Sequence, residues 1–209
     1  MRWEEFLVKF AERPLFHSSM LKIFPDDPHH IQVQLSRWVD SGKLSQIRKE
    51  WYLIEKPFRL KEVPVPVIAN TVVHPSYLSL EWALQYYEMI PEYVPNPTSI
   101  TTNRGIRFTA QKTLFLYHHV QFSFFAGYTQ TQHNNHTLYV ASPEKALMDK
   151  IYIFVQGNEF SLDWLRELRL QNLDQFDFDR FRSYVKKTRK RGFAKAVKKS
   201  IEYLKGERE

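Results

Sequence analysis

The chain has 209 residues, of which 43% are hydrophobic and 15% aromatic, a composition typical of ordered globular proteins. It contains no cysteine, which excludes disulfides, thiolate metal ligands and cysteine nucleophiles and agrees with a reducing, cytoplasmic location. No stretch approaches about 18 consecutive apolar residues, so no membrane partner is expected.

The net charge of +7 is unevenly distributed along the chain. Residues 1–56 carry +1, residues 57–179 carry −3 and residues 180–209 carry +9. The basic character therefore lies almost entirely in the C-terminal tail. A strongly basic segment is typical of contact with nucleic acid or with an acidic protein surface.

The first 56 residues predict a winged helix-turn-helix domain. Trp3–Phe10 predicts a first helix from its apolar spacing, and a second, short helix is expected through Phe24. The third predicted helix begins after Asp27, a typical N-cap residue, has Pro28 at its first position and ends before Gly42. This third helix is the expected DNA-reading element.

The third helix has an apolar face and a polar face. Ile31, Leu35 and Trp38 recur at three- and four-residue spacing and are expected to be buried. The opposite face and its flanks present groups that hydrogen-bond base edges in a major groove. The expected base contacts are Gln32, Gln34, Ser36 and Arg37. The plain alternative is an amphipathic helix with a solvated polar face.

Two short strands are predicted after the third helix, at Leu44–Ile47 and Trp51–Ile54. Arg48 and Lys49, at the tip between them, are expected to contact DNA phosphates. Glu50 follows in the same tip and places a carboxylate where phosphate would approach. The hairpin is therefore expected to act as a basic wing that carries one unfavourable charge.

Residues 57–66 contain three prolines and predict an extended linker between a domain at 1–56 and a second domain at 67–209. The second domain is expected to be mixed α/β, with a helix from Ser76 or Ser79 to Pro91 and another capped by Ser142. The fold class expected for the whole chain is α+β. The expected strands are Val65–Ala69, Ser99–Thr102, Ile106–Ala110, Thr113–His118, Gln121–Gly127 and Thr137–Val140. Residues 103–105 predict a hairpin turn, and residues 130–135 an exposed loop.

The tail predicts one or two basic helices, interrupted near Gly192, whose apolar stripe packs on the rest of the protein. The basic side chains are expected to contact nucleic acid or a toxin, and the alternative is a solvated face that aids solubility. The residues expected to make this contact are Lys186, Lys187, Arg189, Lys190, Arg191, Lys195, Lys198 and Lys199.

Enzymatic chemistry has little support in the sequence. Glu144 and Asp149 lie about 140° apart around a predicted helix axis, so they do not share one face. We expect Glu144 to be a helix N-terminal charge and Asp149 to be a surface or cap residue. His118 and His119 point to opposite faces of a predicted strand, so no metal site is expected. No phosphate-binding loop, GxSxG or HExxH motif is present. We therefore expect no catalytic residues and no cofactor; a metal-dependent nuclease built from dispersed Asp, Glu and Lys residues is a further alternative.

Four segments carry a resemblance to a known family. They are QLSRWVDSGKL with the basic hairpin after it, VIANTVVHPSYLSLEWALQYYEMIPE, TSITT and YVASPEKALMDKIY. They fall between Glu5 and Tyr152, and SLEWALQYYEMIPE and SPEKALMDK are the most specific. In these segments the chain resembles the AbiEi-type antitoxins, predicted transcriptional regulators of type IV toxin–antitoxin systems that act in phage defence.

The resemblance implies a DNA-binding repressor of its own operon, which binds double-stranded operator DNA through the N-terminal domain. It also implies that the second domain counteracts a nucleotidyltransferase-like toxin encoded nearby. In the match, Ser36 and Arg37 fall in the DNA-reading helix and Arg48 and Lys49 in the wing, while relatives often have glycine where this chain has Glu50. The alternative is a protein-interaction antitoxin module with little DNA binding, and the oligomeric state stays open.

Overall fold

The structure is a computed structural model that describes residues 1–133, 135–188 and 192–206. It is mixed α+β, and the described residues form two sheets. The helices are α1 (Trp3–Phe10), α2 (Pro28–Asp40), α3 (Val65–Val72), α4 (Leu80–Tyr86), α5 (Pro143–Phe154), α6 (Leu162–Glu167), α7 (Phe178–Ser183) and α8 (Phe193–Gly206). The strands are β1 (Leu15–His17), β2 (Leu44–Arg48), β3 (Trp51–Ile54), β4 (Ser76–Leu78), β5 (Thr98–Thr101), β6 (Ile106–Ala110), β7 (Thr113–His119), β8 (Tyr128–His133) and β9 (His136–Ala141). None of the described helices combines the length and the apolar character that a bilayer span requires.

The N-terminal part is built around a three-stranded antiparallel sheet in the order β1-β3-β2. Helices α1 and α2 cover one face of it through a small aromatic-rich cluster that includes Phe6, Phe16 and Trp38. The side chain of Asp27 accepts a hydrogen bond from the amide of His29 at 2.8 Å and caps α2. These contacts fix α2 on the sheet by its apolar side.

The predictions for this part are largely confirmed at the level of elements. Helices α1 and α2 and the β2–β3 hairpin lie where they were expected. The expected second, short helix is a 3-10 helix at Ser18–Ile23, with Phe24 as its C-cap. Strand β1 was not predicted, because three residues are too few to show a period-two pattern.

The larger part contains a six-stranded sheet in the order β6-β7-β5-β4-β9-β8. Its inner pairs β5–β7 and β4–β9 are parallel, and the remaining pairs are antiparallel. Helix α5 is buried along most of its length and contacts α4, α7 and α8. The tail therefore folds back onto the helix that carries the SPEKALMDK segment.

Several expectations for the larger part were wrong. The segment at Val65–Ala69 is the start of α3 and not a strand; prolines are tolerated in a first helical turn, and Ile68 and Val72 place apolar groups one turn apart. The run at 121–127 is a 3-10 turn at Phe122–Phe124 and loop, not a strand. Residues 130–133 of the expected loop belong to strand β8, and residue 134 lies outside the described residues. Residues 103–105 do not close a hairpin, because β6 pairs with β7 and not with β5.

The β2–β3 hairpin is shared between two hydrophobic clusters. Leu44 and Ile54 belong to the small cluster under α2. Ile47 and Leu53 are buried in the cluster of the larger part instead. Strand side chains alternate between the two faces of a sheet, so the first sheet lies between α2 on one side and the larger part on the other.

Candidate functional site

The outward face of α2 carries two of the predicted DNA contacts. Ser36 and Arg37 are exposed, on the side of the helix opposite the buried Ile31 and Leu35. Among the described residues, neither Ser36 nor Arg37 has a hydrogen bond or ion pair with a side chain. Both side chains are therefore available to an external partner.

The two glutamines lie on opposite flanks of that face, about 160° apart at 100° per residue. Gln32 is exposed, whereas Gln34 is half-buried. Gln34 and Arg37 line the same surface depression of about 250 Å³, together with Asp26 and His30. A ligand that engages Arg37 from this side would meet Gln34 and not Gln32.

At the tip of the β2–β3 hairpin, the Lys49 side chain has no hydrogen bond or ion pair with another described residue, whereas Arg48 is already engaged. Lys49 is exposed. The Arg48 guanidinium donates a hydrogen bond to the carbonyl oxygen of Val72 at 3.1 Å, which ties β2 to the end of α3. A guanidinium has five N–H donors, so the donors that do not bond to Val72 can still reach a phosphate. Phosphate binding by Arg48 therefore stays a prediction.

Glu50 occupies a backbone conformation that favours glycine. Its φ is +67°, within the left-handed region that costs other residues free energy. Its carbonyl oxygen accepts from the amide of Ser18 at 2.8 Å, and its carboxylate lies 3.8 Å from the imidazole of His17. The acidic residue therefore sits at the hairpin tip against a geometric preference for glycine.

The basic tail does not form a single charged face. Lys186 and Lys198 border an apolar groove of about 400 Å³, between the 3-10 turn at Tyr184–Lys187 and α8. Lys195 and Lys199 border a separate groove with Glu159. The predicted contacts at residues 189–191 lie outside the described residues. Lys187 borders neither groove, and its ammonium lies 6.0 Å from the centre of the Tyr184 ring. The tail contacts stay a prediction, and the described residues expected to make them do not share one surface.

A buried charged cluster in α5 was missed by the sequence analysis. Asp149 is fully buried and accepts hydrogen bonds from the hydroxyls of Ser79 at 2.7 Å and Tyr77 at 3.0 Å. It also pairs with Lys145, which is fully buried one turn earlier and lies 3.7 Å from the centre of the Phe124 ring. The expectation of a surface or cap role for Asp149 was wrong. The i, i+4 spacing of Lys145 and Asp149 was the signal that could have indicated the pair.

Burial dominates the electrostatics of this cluster. It raises the pKa of Asp149 and lowers the pKa of Lys145, while each group opposes the shift of the other. Burial, with the nearby Asp149 carboxylate, also raises the pKa of Tyr77 well above its usual value. The hydrogen bonds of Asp149 reach Tyr77 in β4 and Ser79 at the start of α4, so the cluster fixes α5 on these two elements.

Glu144 is also buried, near the start of α5. Its carboxylate accepts from the hydroxyl of Ser142 at 2.8 Å and from the amide of Asp177 at 3.2 Å, and it lies 3.8 Å from the guanidinium of Arg180. The expected helix N-terminal position is confirmed, but the side chain is used to hold α7. Within the described ranges, no three His, Asp or Glu side chains converge on a point where a metal ion could bind.

Comparison with known proteins gives no assignment. No protein-family model matches the chain, and no curated protein is similar to it in sequence.

Proposed function

We propose that the protein is a DNA-binding transcriptional repressor and antitoxin that binds the operator of its own operon. The observation that carries the proposal is the outward face of α2, where Ser36 and Arg37 are exposed opposite the stripe that anchors the helix. The order of helix, strand, 3-10 turn, helix and hairpin supports a winged helix-turn-helix reading. In that reading α2 enters the major groove and the hairpin lies beside it.

The chemistry of the face suits base recognition. Arg37 can donate two parallel hydrogen bonds to the O6 and N7 atoms of guanine, and Ser36 can bond to several base edges. Gln34 shares a depression with Arg37 and would extend the reading to a neighbouring adenine. Gln32, on the other flank, would reach the opposite wall of the groove. A helix of 13 residues is about 20 Å long and fits within the groove.

Fluorescence anisotropy tests this proposal with a duplex from the region upstream of the gene and a shuffled duplex of the same composition, at about 0.15 M salt. The operator should bind more tightly than the shuffled duplex. Arg37→Ala should lose about 1–3 kcal/mol, or about 5- to 150-fold, on the operator and much less on the shuffled duplex. Arg13→Ala, which removes an exposed arginine from the loop after α1, is the matched control. Equal losses on the two duplexes would refute base reading by Arg37.

The antitoxin half of the proposal rests on the resemblance of the SLEWALQYYEMIPE and SPEKALMDK segments. In the structure these segments form α4 and the first part of α5, which pack against each other. The partner would be a nucleotidyltransferase-like toxin encoded next to this gene. Co-expression tests it: the chain should restore growth to cells that express the adjacent toxin, and growth arrest in the presence of a well-expressed chain would contradict it.

A second candidate is an antitoxin that acts through protein contacts and binds little DNA. Two observations favour it: Glu50 is placed at the hairpin tip, and Arg48 is engaged with Val72. The two candidates differ in the anisotropy experiment, because a protein-interaction module would bind operator and shuffled duplex equally weakly and would still neutralise the toxin.

A further inference from the structure

An arginine-lined groove lies where the β2–β3 hairpin meets the larger part of the protein. It has a volume of about 580 Å³. Arg48 borders it from the hairpin, Val73 from the end of α3, and the segment 103–107 from the connection into β6. Arg104 and Arg107 place two further guanidiniums at its rim. Arg48 directly precedes Lys49 in the chain, so the groove adjoins the basic hairpin tip.

The charges of this groove are not neutralised within the described protein. Arg104 and Arg107 are exposed, and neither side chain has a hydrogen bond or ion pair with another described residue. None of the residues that line the groove is acidic. Three like charges on one concave surface attract anions and repel one another. The groove is therefore prepared for a negatively charged ligand.

The segment that carries Arg104 is held in place by its neighbours. The side-chain amide of Asn103 donates to the carbonyl of His74 at 3.0 Å, and its backbone carbonyl accepts from His119 Nδ1 at 3.0 Å. Gly105 lies so close to β7 that a Cβ atom there would be 3.2 Å from the carbonyl oxygen of Tyr117. The connection is thus fixed to β7 and to the turn between α3 and β4, and little order has to be gained when a ligand binds.

We propose that this groove binds the phosphodiester backbone of the duplex whose bases α2 reads. The inference rests on the proposed function, and it moves part of the expected phosphate contact from Arg48 to Arg104 and Arg107. Guanidinium forks match phosphate oxygens in paired hydrogen bonds. Such contacts position a protein on DNA without reading sequence. The larger part of the protein would then contribute directly to operator affinity.

The test measures anisotropy of operator and shuffled duplexes at several salt concentrations with the full chain. Arg104→Gln and Arg107→Gln should each make the slope of log K against log[salt] shallower by about 0.9, and the double variant by about 1.8. The association constant of the natural chain divided by that of the double variant should fall about 12-fold between about 50 and 200 mM salt, on both duplexes. Lys112→Gln is the control: it removes an exposed lysine beyond the far end of β6, roughly 15 Å from Arg107, and should leave the slope unchanged.

The outcomes separate this inference from the proposed function. If Arg37→Ala loses operator preference while the double variant keeps the natural slope, the groove inference is overturned and base reading stands. If the natural chain shows no operator preference but the double variant still flattens the slope, the groove inference holds and the proposed function fails. Absence of all DNA binding overturns both.

Calorimetry with inorganic phosphate tests whether the groove binds free phosphate instead of the DNA backbone. Suppose that the natural chain releases heat with phosphate and the double variant does not, while both have the same slope of log K against log[salt] for DNA. The groove would then be a site for free phosphate, and the inference would be overturned. Circular dichroism melting of each variant confirms that it is folded.

Discussion

The guanidinium of Arg48 is hydrogen-bonded to the carbonyl oxygen of Val72 at 3.1 Å, and this bond joins the hairpin to the end of α3. Ile47 and Leu53 strengthen the same junction by their burial in the larger cluster. The hairpin is therefore not a free wing that swings beside α2. It is a rigid junction, and its two basic residues should respond differently to substitution.

Arg48→Ala should lower stability, and Lys49→Ala should weaken DNA binding. Loss of the charged donor leaves the Val72 carbonyl without its partner and should cost about 1.5–3 kcal/mol in unfolding free energy. Lys49→Ala should leave stability within about 0.5 kcal/mol and flatten the salt dependence of DNA binding by about one unit, evenly across sequences. Urea unfolding and anisotropy measure the two effects. A stability loss in the Lys49 variant, or none in the Arg48 variant, would show that the two roles are misassigned.

Glu50 gives a second prediction, because its backbone and its charge can be changed separately. Glu50→Gly relieves the folded state of about 1–2 kcal/mol, the cost of a left-handed conformation for a residue other than glycine. It also stabilises the unfolded state by about 0.4–1 kcal/mol, because glycine gives the unfolded chain more conformational entropy. The net expectation is a gain of between about 0 and about 1.6 kcal/mol in unfolding free energy. Glu50→Gln keeps the side chain and removes only the charge, so it should leave stability almost unchanged.

Both Glu50 variants should bind DNA more tightly than the natural chain, since each removes a carboxylate from beside the phosphates. The gain should be similar on operator and shuffled duplexes and should fade as salt rises. Tighter binding by the glycine variant alone would indicate that backbone geometry, and not charge, limits the hairpin contact.

Lys145 and Asp149 give a prediction about the core of the larger part. Lys145→Met leaves the Asp149 charge buried without its partner, and Asp149→Asn does the same to Lys145. Each single variant should therefore lose about 3–5 kcal/mol. The double variant should be more stable than either single one, because no unpaired charge remains and the asparagine oxygen can still accept from Tyr77 and Ser79.

Thermodynamic cycles from urea unfolding measure this coupling. Lys150→Met is the control on the same helix: Lys150 pairs with Glu81 near the surface, and a pair of that kind is worth no more than about 1 kcal/mol. Additive losses in the Lys145 and Asp149 cycle would mean that the two buried groups do not depend on each other.

Gly127 gives a prediction about the docking of the tail. Its φ is +81°, and a Cβ atom there would lie 2.1 Å from the hydroxyl oxygen of the buried Tyr184. Gly127→Ala should cost at least about 1–3 kcal/mol from backbone strain, with displacement of Tyr184 in addition. Gly157→Ala, where a Cβ would contact nothing within 4 Å, should change stability by less than about 1 kcal/mol. Equal effects of the two alanines in thermal unfolding would contradict this account of the tail.

The elements that could be predicted from sequence are those with local signals. Asp27 and Ser142 accept hydrogen bonds from backbone amides of α2 and α5, as their positions before an apolar periodic run indicated. The interrupted tail was predicted from the apolar stripe that Phe193 begins and from Gly192 before it. Each of these signals lies within a few residues of the element that it defines.

The features that could not be predicted depend on residues far apart in the chain. Asp149 looked like a surface residue because its partners Tyr77 and Ser79 are about 70 positions away. The parallel pairing of β5 with β7 removed the hairpin expected at residues 103–105, and the groove of Arg104 and Arg107 depends on that topology. Arg48 was expected at a free tip because nothing local indicates the approach of Val72.

The chain lacks cysteine, so a single introduced thiol tests the central claim about α2. Ser36→Cys, labelled with an iron chelate that cleaves DNA nearby, should cut the upstream duplex at a few positions within one short site. Tyr93→Cys, on an exposed position in the connection between α4 and β5, is the matched control and should give little cleavage. A complex that forms with the Ser36 label yet shows no localised cleavage, or cleavage equal to that from position 93, would contradict insertion of α2 into the DNA groove.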